Sequence, residues 1–248
     1  MQLTFLGTGS AMPTGERMQT GLLVENGDDR LLVDCGSGVL HTLARTDVGY
    51  EGVDTVLLTH HHLDHVSDLL ALLKARWLVG EESLTVVGPA GTEDLVEGLL
   101  GVHEYLQDRV DLTLRDVEAG GFEVAGFDVD ATPIRHSMDG LAYRFENQSG
   151  GDLVFSADTE AFAGMAEFAA GASVLVHDCS FPDAVDVDNH PTPTQLGESL
   201  ADVDVPALYL THLYPHTDGE HDAMKQSIRD AGFDGEVAFA RDGLAVDV

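Results

Sequence analysis

Short apolar runs alternate with turns rich in Gly, Asp or His along most of the chain. In the first half these runs predict strands at Leu3–Leu6, Gly21–Glu25, Leu31–Asp34, Val56–Thr59 and Leu84–Val87. After the fourth strand the apolar spacing changes to three and four residues, which predicts a helix with one buried stripe. That stripe contains Leu63, Val66, Leu69, Leu70, Leu73 and Trp77. A second helix is predicted from Thr92, a residue suited to an N-cap.

The second half of the chain shows the same alternation. Residues 122–134 predict two strands hinged at Gly126. Further strands are predicted at 141–146, 152–158, 173–177, 207–211, 237–240 and 244–248, and helices at 161–169, 194–201 and 223–231. Strands and helices in both halves favour an α/β fold of two mixed sheets packed together, with helices outside. We expect one domain over residues 1–248.

Composition favours a soluble, cytoplasmic protein. The 248 residues are 44% hydrophobic, enough for a sizeable core. No apolar stretch reaches the roughly 18 residues of a transmembrane helix, and Met1 leads directly into a strand rather than a signal peptide. The two cysteines, Cys35 and Cys179, lie far apart and in no paired motif, which suits a reducing compartment.

The charge is strongly acidic, with 44 Asp and Glu against 12 Lys and Arg and a formal net charge of −32. The acids are spread over the whole chain, so they predict a hydrated acidic surface whose self-repulsion needs screening. This composition is similar to that of proteins from halophilic organisms. Binding to a long nucleic acid gains from counterion release, and that gain fades in strong salt. A small-molecule substrate is therefore favoured over a long nucleic acid.

Metal-ligand side chains crowd the junction between the fourth strand and the following helix. His60, His62, Asp64 and His65 carry the donor groups that zinc and related ions prefer. Four donors at this spacing fit two neighbouring ions better than one tetrahedral ion, with the first two on one ion and the last two on the other. His61 is expected to point away. The alternative, a polar helix cap with solvated histidines, does not explain the apolar flanks.

Two ions need further ligands, and three candidates follow apolar strands elsewhere in the chain. His136 comes after ATPIR, Asp158 after LVFSA and His212 after ALYLT. A single histidine at the end of a strand is usually an ordinary surface residue. Three such strand ends, taken together with residues 60–65, instead predict a shared metal centre.

The motif His60-x-His62-x-Asp64-His65, followed by a distant His, Asp and His, resembles the signature of the metallo-β-lactamase fold superfamily. The segments LTFLGTGSAMP, LLVDCGSG, VFSADT, LVHDCSF and NHPTPTQLGE resemble the ribonuclease Z branch. LTHLYP resembles the last ligand motif of small hydrolases in that group, and the likeness spans residues 1–212. The resemblance implies an αββα sandwich of two mixed sheets with helices on both outer faces, and a homodimer.

The resemblance also implies a ligand set. It assigns His60, His62 and His136 to one ion, Asp64, His65 and His212 to the other, and Asp158 to both. Two divalent ions are expected, Zn²⁺ first, with Mn²⁺ or Fe²⁺ also suited to these donors. Such a pair could hold a bridging hydroxide and stabilise the attacking and leaving oxygens. Asp64 is expected to orient that hydroxide as well.

The leaving group needs a proton, and His190 in NHPTPTQ is the candidate general acid. The alternative is a loop histidine beside a helix start. His177 and Asp178 match the His-Glu pair of the branch and could tune His190 or orient a ligand. Asp34 is expected to support a ligand in the same way.

Three departures from the RNA-processing enzymes affect the choice of substrate. Residues 88–136 leave no room for a long basic RNA-gripping arm, and Glu160 and Ser37 stand where those enzymes commonly have Arg and Glu. The sequence thus favours a binuclear metal-dependent phosphodiesterase acting on small or cyclic phosphodiesters. The alternatives are a tRNA 3′-processing endonuclease, a hydrolase of lactones, esters or thioesters, and a non-catalytic metal-stabilised binding module. The complete set of seven ligand-type residues disfavours the last.

Overall fold

A computed structural model describes residues 1–147, 150–185 and 187–248. The strands are β1 (Gln2–Gly7), β2 (Gly21–Asn26), β3 (Asp29–Val33), β4 (Thr55–Leu57), β5 (Ser83–Gly88), β6 (Asp111–Asp116), β7 (Gly120–Val124), β8 (Phe127–Pro133), β9 (Leu141–Phe145), β10 (Leu153–Phe155), β11 (Val174–Asp178), β12 (Ala207–Thr211), β13 (Glu236–Phe239) and β14 (Ala245–Asp247). The helices are α1 (Val39–Leu43), α2 (Leu63–Val66), α3 (Leu69–Val79), α4 (Thr92–Val102), α5 (Ala163–Ala169), α6 (Pro193–Ser199) and α7 (His221–Asp230), with 3-10 turns at Glu104–Leu106 and Pro215–Thr217.

The strands form two mixed sheets of seven. The first has the order β14-β1-β2-β3-β4-β5-β6 and the second β13-β12-β11-β10-β9-β8-β7. Strands β3 to β6 run parallel in the first sheet, as do β10 to β13 in the second. The carboxyl ends of parallel strands meet at one edge of a sheet, which is where ligand sites form in such folds.

Three apolar clusters fill the three interfaces between four layers, which are two sheets and a layer of helices on each outer face. The inner cluster joins the two sheets and contains Phe5 and Leu57 from the first with Tyr143 and Phe155 from the second. A second cluster packs α1, α3 and α4 on the outer face of the first sheet, and a third packs α5, α6 and α7 on that of the second. Both faces of each sheet are therefore buried. The predicted αββα sandwich, with helices on both outer faces, is confirmed.

The helix predicted from Leu63 is interrupted. It divides into α2 and α3, and the carboxylate of Asp68 between them accepts hydrogen bonds from the backbone N–H groups of Gly38 (2.8 Å) and Leu40 (3.1 Å). Leu63, the first residue of α2, is 77% exposed and lines a pocket, whereas Val66, Leu69 and Leu73 are buried as predicted. The prediction of one continuous helix with Leu63 in its buried stripe was therefore wrong, since the chain breaks at Asp68 to contact the start of α1.

The prediction that Thr92 caps α4 was also wrong. Gly91 occupies the N-cap position with φ 94°, a left-handed conformation that suits glycine, and Thr92 is the first helical residue. The Thr92 hydroxyl donates instead to the carbonyl oxygen of Pro89 at 2.8 Å.

Residues 88–136 form α4, a 3-10 turn, β6, β7 and β8, joined by short connections. The segment is thus built into the two sheets and their helical cover, with no projecting arm. The longest helices in the described part of the chain, α3 and α4, have 11 residues each, and none is long and apolar enough to cross a bilayer.

Candidate metal centre

Strand ends and strained turns bring the predicted site residues to one edge of the sandwich. Asp34 directly follows β3, and His212 directly follows β12. Asp34 (φ 59°), Ala157 (φ 55°), Asn189 (φ 70°) and His212 (φ 57°) all adopt the left-handed region, which residues with a Cβ rarely occupy. Each of the four is, or directly precedes, a predicted site residue. Unfavourable backbone conformations thus occur at the turns that direct these side chains into the centre.

The first group of ligand-type side chains is His60, His62, His136 and Asp158, whose donor atoms lie within 4.8 Å of one another. Nδ1 of His62 lies 3.1 Å from Nε2 of His60 and 3.2 Å from Nε2 of His136. Oδ2 of Asp158 lies 3.8 Å from Nε2 of His60 and 3.9 Å from Nε2 of His136.

The second group is Asp64, His65, Asp158 and His212, again within 4.8 Å. Nε2 of His212 lies 3.1 Å from Oδ2 of both Asp64 and Asp158. Nε2 of His65 lies 3.3 Å from the same oxygen of Asp158 and 3.8 Å from Oδ2 of Asp64. Asp158 belongs to both groups, and the two groups together are the seven residues that the sequence analysis selects.

The buried nitrogen of His65 tests whether these residues fit a metal. Its Nδ1 lies 2.7 Å from Oδ2 of Asp34, which fixes the proton on that nitrogen. Its Nε2 is buried and has no hydrogen-bond partner among the described residues, although it faces Asp158. Burial lowers the pKa of His65, but the charges of Asp158 and Asp34 raise it well above its usual value, so this buried nitrogen and the carboxylates call for positive charge between them. The donor set therefore suits divalent metal ions.

The electrostatic environment also favours metal binding by the three histidines of the first group. Burial lowers the pKa of His60, His62 and His136, and together with neighbouring histidines it outweighs the nearby Asp64 and Asp158 carboxylates, which raise it. A neutral imidazole keeps a lone pair for a metal ion.

Two hydrogen bonds from Thr59 hold the carboxylate of Asp34 in place. The backbone N–H of Thr59 donates to Oδ1 of Asp34 and its hydroxyl to Oδ2, both at 2.8 Å, and both residues are fully buried. Asp34 therefore contacts the candidate ligand His65, whereas the sequence analysis expects it to support a ligand without naming which one. Thr59 was not predicted, although it immediately precedes His60.

His190 lies beside the second group in a compact network. Its Nδ1 lies 2.6 Å from Oδ2 of Asp178, whose Oδ1 accepts from the Ser180 hydroxyl at 2.6 Å. The Ser180 oxygen also lies 2.8 Å from Nδ1 of His212. Burial lowers the pKa of His190, but the Asp178 charge and hydrogen bond outweigh it and raise the pKa to about 9. The network links the candidate proton donor to a candidate ligand through Ser180, which was not predicted.

His177 and Asp178, which were predicted as a pair, make different contacts. His177 is buried, and its Nδ1 lies 2.7 Å from the carbonyl oxygen of Asp178; among the described residues it has no hydrogen bond to His190 or to either ligand group. Of the predicted pair, Asp178 alone contacts His190. His61 turns away, as expected, with Nε2 2.8 Å from the Thr92 hydroxyl.

A pocket of about 350 Å³ opens over both groups. Asp64, His136 and His190 line it, and Leu63 and Tyr214 stand at its sides. Its volume lies near the lower end of the range for small-molecule sites. The pocket therefore suits a small substrate or one end of a larger one.

Comparison with known proteins decides the family. A model of the Beta-lactamase superfamily domain matches residues 29–213. The ribonuclease Z of Mycobacterium avium (strain 104) is 31% identical, covering all of this chain and 98% of its own length. The chain belongs to the beta-lactamase superfamily, in its ribonuclease Z branch. It is a metal-dependent hydrolase, as the sequence predicts.

Solved structures of the superfamily agree with the fold. The metallo-beta-lactamase fold protein YhfI from Bacillus subtilis superposes with a TM-score of 0.84 at 24% identity, over 99% of this chain and 98% of its own. The short form of human tRNase Z gives 0.80 at 20% identity, over 100% and 99%. A diphosphatase of the PhnP family gives 0.71 at 19% identity, over 100% and 97%.

Proposed function

We propose that the chain is a binuclear metal-dependent phosphodiesterase that acts on small or cyclic phosphodiesters. The observation that carries this proposal is the pair of donor groups sharing Asp158. His60, His62 and His136 would hold one ion, Asp64, His65 and His212 the other, and Asp158 both. Zn²⁺ suits this imidazole-rich set best, and Mn²⁺ or Fe²⁺ would fit it too.

When bound, the ions supply positive charge that polarises a phosphoryl group and activates water near neutral pH. The chain's own residues perform the remaining tasks. Asp34 fixes the ring of His65, and Asp64, which lines the pocket, would orient the attacking water. Asp178 holds the proton on Nδ1 of His190. The other ring nitrogen of protonated His190 can then give its proton to the leaving-group oxygen.

A tRNA 3′-processing endonuclease is the second candidate. The names of the curated relatives favour it, since proteins called ribonuclease Z align over the whole chain. Three features oppose it. Residues 88–136 fold into the sandwich, the pocket holds about 350 Å³, and the chain carries a formal charge of −32. A polyanion gains little from such a surface.

Hydrolysis of a lactone, ester or thioester would use the same metal centre without a phosphoryl group. A binding module without turnover would not explain the Asp178–His190 pair, because binding a metal or a ligand needs no proton donor. The single domain over residues 1–248, the homodimer, the cytoplasmic location and the halophilic source stay predictions.

The test loads the protein with Zn²⁺ or Mn²⁺ in strong KCl. Bound metal is counted by mass spectrometry, and turnover is measured on methyl 4-nitrophenyl phosphate, an N-acyl homoserine lactone and a tRNA precursor. We expect about two ions per chain and fastest turnover of the small diester. Preferred cleavage of the lactone or the tRNA would overturn the proposal.

A variant and its control test whether that activity depends on Asp158, the carboxylate that both donor groups share. Asp158→Ala should lose bound metal and turnover together, because both donor groups contain this residue. His103→Ala is the matched control, since His103 is exposed at the end of α4. Full metal content in Asp158→Ala would contradict the ligand assignment.

A further inference from the structure

The two groups of ligand-type side chains differ in charge and in burial. The second group contains two carboxylates, those of Asp64 and Asp158, whereas the first group contains only that of Asp158. All four residues of the second group are buried. A divalent cation is attracted more strongly by two carboxylates than by one, and burial strengthens that attraction.

Both histidines of the second group are connected to a carboxylate outside the group. Nδ1 of His65 lies 2.7 Å from Oδ2 of Asp34. Nδ1 of His212 lies 2.8 Å from the Ser180 oxygen, and the Ser180 hydroxyl donates to Oδ1 of Asp178 at 2.6 Å. Contacts of this kind hold the ring and keep its proton on Nδ1, so that Nε2 is left for a metal ion.

Two histidines of the first group have longer contacts behind them. Nδ1 of His60 lies 3.1 Å from the hydroxyl oxygen of Thr59, which donates in turn to Asp34. Nδ1 of His136 lies 3.2 Å from the carbonyl oxygen of Asn189. Both distances exceed those in the second group, and only the contact of His60 leads on to a carboxylate.

The third histidine of the first group, His62, has the least support. Its Nδ1 faces Nε2 of His60 (3.1 Å) and Nε2 of His136 (3.2 Å), so this nitrogen is the one placed for a metal ion. Its Nε2 has no hydrogen bond to any residue that the structure describes. The residue is half-buried and lines the pocket. No contact through the outer nitrogen therefore orients this ring.

These differences act against the number of imidazoles. Imidazole suits Zn²⁺, so three rings would by themselves make the first group a good zinc site. Orienting contacts behind the ligands, however, account for about 10- to 100-fold in metal affinity. An ion in the second group would also neutralise Asp158, which both groups share, and would repel a second cation nearby. The first group is thus disadvantaged further once the second group is filled.

We infer that the two groups fill in order, with the second group binding its ion tightly and the first group binding its ion more weakly. A one-ion form should therefore precede the two-ion form. Because the proposed reaction uses both ions, the free metal concentration would control how much of the protein is active. This inference rests on the two-ion centre of the proposed function, but not on the choice of substrate.

A zinc-binding curve tests the order without turnover. The metal-free protein is dialysed in strong KCl against zinc buffers of fixed free concentration, and bound zinc is counted by plasma mass spectrometry. We expect two steps whose Kd values differ by about 10- to 100-fold, the range attributed to orienting contacts. Two steps of equal affinity would overturn the inference.

A matched pair of variants shows which group holds the tight ion. His62 and Asp64 flank Leu63, both line the pocket, and each belongs to one group only. His62→Ala should lose the weak step and keep the tight one. Asp64→Asn keeps the shape of the side chain but removes its charge, so it should weaken the tight step. His103→Ala, at the exposed end of α4, is the control and should keep both steps.

A third variant tests the support behind His212. Ser180→Ala removes the hydroxyl that connects this ring to Asp178 and should weaken the tight step by about 10- to 100-fold. Damage to the fold would instead weaken both steps, and circular dichroism checks the fold directly. Loss of the tight step in His62→Ala, with the tight step kept in Asp64→Asn, would reverse the order and overturn the inference.

Turnover separates this inference from the proposed function. Cleavage of methyl 4-nitrophenyl phosphate is measured in the same zinc buffers and should follow the weak step. Two ordered steps without cleavage at any zinc concentration defeat the proposed function and leave the order standing. Cleavage by a protein whose two steps are equal or reversed defeats the order alone. Cleavage that follows the tight step would show that one ion suffices, which contradicts control by free metal.

Discussion

At the scale of single residues, Asp34 shows how a side chain can shape a metal site without facing its pocket. It holds Nδ1 of His65 at 2.7 Å and is held by two hydrogen bonds from Thr59. Its φ of 59° is a conformation that Asp and Asn accept better than most residues. Charge and backbone preference can therefore be separated by substitution.

Asp34→Ala should weaken zinc binding by about 10- to 100-fold, because the ring of His65 loses its orienting carboxylate. Asp34→Asn keeps the backbone preference but removes the charge, and it should fall between Ala and the wild type. Competition with a chromogenic chelator measures the affinity. Asp28→Ala, at an exposed position in the β2–β3 turn, is the control. Wild-type affinity in Asp34→Ala would show that packing alone orients His65.

His190 has a different task, so its removal should leave the metal in place. His190→Ala should lower kcat for the small diester by about 10²- to 10⁴-fold, the usual range for a positioned general acid. Metal content should stay at the wild-type level, because His190 belongs to neither of the two groups that share Asp158, and in the third donor group, Asp178, His190 and His212, its Nδ1 already pairs with Asp178. His41→Ala, at an exposed position in α1, controls for loss of a histidine. Unchanged kcat in His190→Ala would defeat the assigned role.

The seven ligand candidates were predictable, whereas some of their neighbours were not. Residues such as His136 and His212 stand out because a metal-ligand side chain ends an apolar run. Ser180 has no such signal. A serine in a turn is ordinary, and Ser180 reaches both Asp178 and His212 only because β11 and β12 are adjacent in the sheet. Contacts of this kind depend on the tertiary fold.

At the scale of elements, the apolar pattern predicted the strands better than the helices. The bounds of β12 match, because an apolar run lies between Pro206 and His212, which are both unsuited to a buried strand interior. The helix after β4 was predicted as continuous, although Asp68 divides it. Strand β6 escaped prediction because it is an edge strand with charged and half-exposed positions.

Arg76 connects α3 to its surroundings. The residue is 1% exposed, and its guanidinium donates to the carbonyl oxygens of Tyr50 (2.9 Å), Glu51 (3.1 Å) and Ser83 (3.0 Å), as well as to that of Val53. Burial lowers the pKa of Arg76, although nearby acids raise it. These bonds tie the loop before β4 and the start of β5 to the helix that follows the metal ligands.

Arg76→Met should destabilise the fold by about 3 kcal/mol, because it leaves several buried carbonyl groups without a donor. Arg76→Lys keeps the charge but lacks the planar fork and should fall between Met and the wild type. Urea unfolding followed by circular dichroism measures the loss. Arg45→Met, at an exposed position, is the control. A loss below about 0.5 kcal/mol would show that water replaces the guanidinium.

At the scale of the whole molecule, a well-buried sandwich coexists with a large excess of negative charge. The core fills three interfaces between four layers, so the acids collect on the outer surface. Ion pairs between Arg or Lys and acids are few among the described residues, for example Arg30 with Glu25 and Arg144 with Asp152. Most of the repulsion must therefore be relieved by salt in the solvent.

Stability should accordingly rise with KCl. Between 0.1 and 2 M the screening length shrinks from about 10 Å to less than 3 Å, which removes most repulsion between separate surface charges. A gain of about 3 kcal/mol would raise Tm by about 6–12 °C for a chain of this size. Calorimetric scans in KCl measure the shift, and sucrose serves as an uncharged control for preferential exclusion. A triple variant that changes the exposed Asp28, Asp47 and Asp234 to Asn has three fewer negative charges, so it should gain less from salt than the wild type. A Tm that stays constant in KCl, or rises equally in sucrose, would show that repulsion between surface carboxylates does not limit the stability of this fold.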